Sequence, residues 1–234
     1  VSHLHIPDGV LPWTVWLPGL ALALLLLVVT GWLQRGESRS RIAYQGAIGA
    51  LMLAAMAVEI PLGPIDYHLT LVGPVGALLG PVGGFQVVFV VSAMLALVGH
   101  GGLTVVGWNA LVLGAGAALA RPFASVLARR FSPAVSLAIA TGCAQAVSGA
   151  LWLAVVAAGM RLAPRARLFG DGPGAVTVFA ALALPLWLLG IGVESAVALG
   201  LGRFVQRVRP DLLPGGSFPA APAPSAPPAS GGVG

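Results

Sequence analysis

The chain has 234 residues and a mass of 23.5 kDa, room for one domain or two small ones. Only 8% of its residues are charged, 58% are hydrophobic and the mean hydropathy is +0.96, whereas an ordinary globular domain is roughly 25% charged. This excludes a soluble fold, a secreted disulfide scaffold, a nucleic-acid-binding domain and a disordered chain. The composition belongs in a bilayer. The net charge of +5 comes from 12 arginines in short clusters between apolar runs, where they read as topology signals at membrane edges. The single cysteine, Cys143, lies in an apolar run and reads as a small packed residue.

A spanning helix needs about 20 largely apolar residues, because the hydrocarbon is about 30 Å thick. Residues 13–34 meet this and end at Arg35, Arg39 and Arg41. The run is too long for a signal h-region, lacks a basic n-region and is followed by no small-residue cleavage site, so a retained helix is expected. The second run, 42–62, is broken by Glu59 and Pro61. Residues 69–99 exceed one crossing and are interrupted by Gly80-Pro81 and Gly83-Gly84, which predicts a short helix over 69–79 and a longer one over 84–99. About 12 residues cannot span alone, so 69–79 requires local thinning or a re-entrant path. The remaining runs are 108–128, 133–159 and 175–201. The expectation is an all-α integral membrane protein of about seven transmembrane helices in residues 1–209, followed by a disordered Pro/Ala-rich tail over 210–234. With the N-terminus outside and the C-terminus cytoplasmic, nine arginines fall inside and three outside, which obeys the positive-inside rule.

In this topology the four histidines, His3, His5, His68 and His100, all lie on the external side. One such residue alone reads as interfacial. Four on one side, two of them near an amino terminus, point to a transition metal, for which neutral imidazole is the commonest ligand. A terminal amine, backbone amides and a nearby imidazole can wrap a divalent ion in a near-planar nitrogen set, the geometry suited to Ni(II) and Cu(II). Val1-Ser2-His3 offers that arrangement, and so does a chain beginning just before His5.

LHIPDGVLP (4–12) resembles the start Met-His-Ile-Pro-Asp-Gly of the cobalt/nickel substrate-capture subunits of energy-coupling-factor transporters, the CbiM/NikM family. HLTLVGPVGALLGP (68–81) and GHGGLTVVGWNALVLG (99–114) resemble two further segments of that family. The resemblance covers about residues 4–114 and implies seven helices, with an external N-terminus folded back into the bundle. It implies Co2+ or Ni2+ as transported substrate, held by the terminal amine and amide of the first two residues and by the imidazoles of His5 and His68. That arrangement requires the functional chain to begin at Leu4, decoded as an initiator methionine. His3 is a further candidate ligand, as is His100, which stands where the family has an acidic residue. The family's Gly-Gly-Thr-Ser-Gly-His is Gly-Pro-Ile-Asp-Tyr-His here (63–68), which alters the surroundings of His68. Implied partners are a transmembrane coupling subunit, ATPase subunits of the ABC type and a small accessory membrane subunit, all at the inner (plasma) membrane.

Intramembrane carboxylates are functional candidates by default. Glu59, near an external helix end, could neutralise metal charge or orient an imidazole. Glu194, deep in the last run, could pair with a neighbouring helix or contact a partner. Asn109 and Asp66 are candidates for the surroundings of the ligands, and Asn109 could equally cap a helix. Asp8 is expected to order the N-terminal turn. Ala43, Gly46, Ala47 and Ala50 recur at helical spacing and suit either docking to the coupling subunit or ordinary packing within the chain. The chain has no Walker-type loop and no lysine, so it does not hydrolyse ATP by that route; a binding subunit powered by separate ATPases is expected. The alternative is a small-molecule carrier or channel in which the histidines relay protons. An intramembrane metalloprotease lacks its His-Glu-x-x-His motif.

Overall fold

The computed structural model describes residues 5–58, 60–62, 65–162 and 175–215. Its helices are α1 (Trp13–Leu33), α2 (Arg39–Ala57), α3 (Val72–Leu97), α4 (Val106–Leu127), α5 (Pro133–Leu162) and α6 (Ala175–Val208). Between α2 and α3 lies an antiparallel hairpin, β1 (Ile60–Leu62) with β2 (Ile65–Tyr67), in which Pro61 faces Asp66. The second apolar run therefore stops being helical at Ala57. Capping follows the sequence. Ser38 accepts the Arg41 N–H at 3.3 Å to open α2, and Pro133 follows Ser132 at the first position of α5.

The seven segments read from the sequence become six helices, because 69–79 and 84–99 fall within the single element α3. That element is folded at Gly80, whose φ of 75° and ψ of −179° are non-helical. A straight helix of 26 residues would be about 39 Å long. The few residues linking its ends to His68 and His100 could not bridge that distance, yet those two rings are 6.2 Å apart, centroid to centroid. The two arms thus run back along one another, and a Cβ placed on Gly84 would sit 3.3 Å from the Gly76 Cα. The first arm, 72–79, is about 12 Å long and the second, 81–97, about 25 Å. The shorter arm begins inside the bundle rather than at its end, which is why Thr70 and Val72 are fully buried.

Small residues let α3 and α4 touch: a Cβ on Gly76 would overlap the Ala117 carbonyl, a close approach typical of membrane helices. Apolar side chains such as Trp13, Leu25, Val28, Leu97 and Leu188 cover the outside, as expected where lipid replaces water. Five helices, α1 and α3 to α6, are long and apolar enough to cross a membrane. This is a multi-pass membrane protein. Beyond α6 a short 3-10 turn, Pro210–Leu212, leads to Leu213, which is buried among Ala77, Ala120, Leu137 and Ala198. The packed region thus extends past the boundary expected at 209. Residues 216–234, most of the expected tail, lie outside the described residues.

The two ends of the bundle differ. One gathers His5, His68, His100 and the contact of Leu11 with Gly159. The other holds the Gly80 fold, beside Arg121, and nine of the ten described arginines. Arg161 alone among them is at the histidine end.

Candidate metal centre

Residues 5–12 form a strap across the histidine end. Ile6, Val10 and Leu11 are buried in the main core with Met52, Met56 and Trp152. The strap is also held through its backbone. The Ile6 N–H donates to Asn109 Oδ1 at 2.8 Å, and Asn109 Nδ2 donates to the Ile6 carbonyl at 3.2 Å. The Gly102 N–H reaches the same carbonyl at 3.2 Å. Asn109 thereby pairs with one residue of the strap as a neighbouring strand would, satisfying both of its backbone groups. It neither caps α4 through its side chain nor leaves the Ile6 backbone to a ligand.

Asp8 makes the second clamp. Its carboxylate accepts the Leu103 N–H at 3.0 Å, the Thr104 N–H at 2.9 Å and the Thr104 hydroxyl. It ties its own turn to the loop ahead of α4. Partial burial pulls the Asp8 carboxyl upward, but the three bonds outweigh it and hold the group below the ordinary carboxylate range. The clamp's contribution is therefore complete above about pH 3.9 and is lost as pH falls through the depressed value. Imidazole ligands lose a metal earlier, below about pH 6.5. Acid titration followed by metal release and by intrinsic fluorescence is expected to show two separated steps, with Asp8→Asn removing the lower one.

The loop from 98 to 105 carries His100 and receives the strap. Gly99 at φ 85° ends α3, with its N–H on the Ala96 carbonyl and the His100 N–H on the Leu95 carbonyl at 2.8 Å, a Schellman closure. Gly101, at φ 92°, faces the His5 ring. A Cβ on Gly102 would stand 2.5 Å from Asp8 Oδ1 and 2.6 Å from Asp8 N. Gly102→Ala is expected to lift the strap and weaken metal affinity by about tenfold or more, in keeping with losses at ligand-supporting positions. Isothermal titration, with helical circular dichroism unchanged, checks it.

His5 is 2% exposed and His68 is fully buried. Their ring centroids are 4.9 Å apart and tilted by 47°. Two imidazoles bound side by side to one first-row ion at about 2.0–2.1 Å place their centroids about 4.5–5 Å apart. The pair has that spacing. His100, partly exposed, lies edge-on to His68 at 6.2 Å. Among the described residues no three His, Cys, Asp or Glu side chains converge closely enough to hold an ion by themselves. His3, Leu4 and Glu59 lie outside the described residues. Asp66 stands on β2, in the hairpin that leads into His68.

Beneath His68 is a support built on Glu194, whose partners the sequence did not specify. Glu194 of α6, fully buried, accepts the Thr70 N–H and the Thr70 hydroxyl on Oε1, and the Leu71 N–H at 3.1 Å on Oε2. These are donors at the start of α3, where a carboxylate also meets the positive end of the helix dipole. Leu71 is left-handed at φ 53°, a conformation that costs a non-glycine residue about 1–2 kcal/mol. The Glu194 bonds hold it there. Gln145 Nε2 donates to Thr70 Oγ1, and Thr141, Gln145 and Ser148 make a fully buried polar stripe on α5. That stripe, three polar residues at helical spacing in an apolar run, was the available signal for Gln145. Tyr67, 3% exposed, has its phenol pushed above its ordinary range by burial and by Glu194. It stays neutral beside the histidines. Of the small-residue positions, Ala43, Gly46, Ala47 and Ala50 are all exposed, and a Cβ on Gly46 would meet nothing within 4 Å. Among the described residues this face stands open.

The chain is thus a helical membrane bundle with a buried pair of imidazoles under a backbone strap. The model of the family described as the cobalt uptake substrate-specific transmembrane region (CbiM) matches residues 5–212, and the chain belongs to this family. Two solved structures share the fold. A crystal structure of a transition metal transporter superposes with a TM-score of 0.71 at 17% identity, covering 87% of this chain and 93% of the other. A truncated transition metal transporter gives 0.71 at 16% identity, covering 87% and 99%. No curated protein sequence matches the chain.

Proposed function

We propose that the chain is the substrate-binding subunit of an energy-coupling-factor transporter that imports Co2+ or Ni2+, supplying cobalt for cobalamin synthesis if it is of the cobalt type. The observation that carries this reading is the buried His5–His68 pair, 4.9 Å apart beneath the clamped strap. The His5 amide nitrogen is a further donor beside the two imidazoles, and His3 and His100 are additional candidate ligands. The seven-crossing path counts the arms of α3 separately, puts the histidine end outside and leaves the C-terminus in the cytoplasm. The arginine distribution supports that orientation. The exposed face of Ala43, Gly46, Ala47 and Ala50 is the docking surface for the coupling subunit. Gly46 and Ala50 of that face also line an apolar groove with Ile42, Leu53, Val90 and Met94. ATPase subunits and a small accessory membrane subunit complete the assembly at the inner membrane.

Equilibrium dialysis of the purified chain at neutral pH tests the reading. One tightly held cobalt or nickel ion per chain is expected, and no stoichiometric retention would overturn it in favour of the proton-relay carrier. Orientation is tested separately. A cysteine introduced at Arg161 is expected to react with an impermeant thiol reagent in intact cells, and one at Arg39 is not.

A further inference from the structure

At the arginine end a pocket of about 270 Å³ opens between the first turn of α2, the fold of α3 and the last third of α4. It is lined by Ser40, Arg41, Tyr44, Leu78, Leu79 and Arg121. Ser40, Arg41 and Tyr44 come together because positions four apart on a helix share a face. Arg121 reaches it by donating from Nη1 to the Leu78 carbonyl at 3.4 Å, an acceptor left over where the first arm of α3 ends. Arg41 pairs through Nε with Glu37 at 3.3 Å. Among the described residues each guanidinium therefore keeps its remaining nitrogens for a ligand. The Tyr44 hydroxyl is buried and has no hydrogen-bond partner among the described residues, a state that native structures rarely leave uncompensated.

Two guanidiniums and a hydroxyl around one concavity match a tetrahedral oxyanion. Arginine binds phosphate through paired donors. Among the described residues no carboxylate lines the pocket, while Leu78 and Leu79 give it one apolar wall. It lies at the ends of bilayer-length helices, where headgroups sit, and basic pockets between helices at that level hold anionic lipid. The geometry points to a binding site for the phosphate of an anionic phospholipid headgroup, seated on Arg41, Arg121 and Tyr44 and bracing the fold of α3 against α2 and α4.

Native mass spectrometry of the full chain in mild detergent, with equimolar phosphatidylglycerol and phosphatidylcholine, tests the site. Phosphatidylglycerol is expected to be retained about thirtyfold better, as two arginines near a headgroup would give. Arg41→Gln with Arg121→Gln is expected to bring the ratio close to unity, and Tyr44→Phe to lower it several-fold. Arg35→Gln with Arg39→Gln removes the same charge outside the pocket and is expected to leave the ratio unchanged. An equal loss in that control would reduce the effect to diffuse surface charge and overturn the proposal. Displacement of phosphatidylglycerol by millimolar inorganic phosphate would assign the pocket to a free anion and overturn the lipid. No preference between the two lipids would also overturn it, leaving the pocket to an acidic side chain of a partner.

Discussion

His68→Ala is expected to abolish retention of cobalt and nickel, lowering affinity more than a hundredfold while leaving the fold in place. Replacing groups that merely support a ligand already costs tenfold to a hundredfold. His68 is fully buried and is the ring at 4.9 Å from His5, so no exposed side chain takes its position. Circular dichroism should be unchanged, since the start of α3 is held by Glu194 through Thr70 and Leu71. Metal analysis after gel filtration is the measurement. A variant that still carries one ion per chain would remove His68 from the ligand set. His100→Ala, in parallel, should cost less, because that ring is partly exposed and is not fixed by burial as His68 is.

The second large effect is expected at Glu194. Glu194→Ala leaves two buried backbone N–H groups and the Thr70 hydroxyl without their acceptor. Each such group costs about 1–3 kcal/mol, so a loss of about 3–5 kcal/mol is expected even if water partly replaces the carboxyl. The left-handed Leu71 then relaxes and carries the His68 loop with it. Glu194→Gln keeps one carbonyl acceptor and should retain the fold with weakened metal binding. Thermal unfolding in detergent and metal titration separate the two variants. Equal stability of Glu194→Ala and the parent would show that the carboxyl does not hold the start of α3.

What could be read beforehand was what period and composition encode. The apolar runs located the helices, Gly80-Pro81 located the break in the long run, and arginine clusters marked one end. The strap residues around His5 were legible as a motif. What could not be read was pairing across space. Nothing local says that Glu194 meets Thr70, or that Asn109 serves Ile6, because both contacts join residues more than a hundred positions apart. Nor does a glycine-proline break specify its angle. A break read as a loop between two helices proved to be one sharply folded element, set by a single positive φ.

That fold gives α3 the mechanics of tweezers. The hinge is Gly80 and the tips lead to His68 and His100. A side chain at the hinge need not touch the histidines to be felt there: a small change of angle at Gly80 becomes a change in the gap between the tips. Because a positive φ is costly for any residue with a Cβ, a replacement at Gly80 would reset the spacing of the chain's own grip.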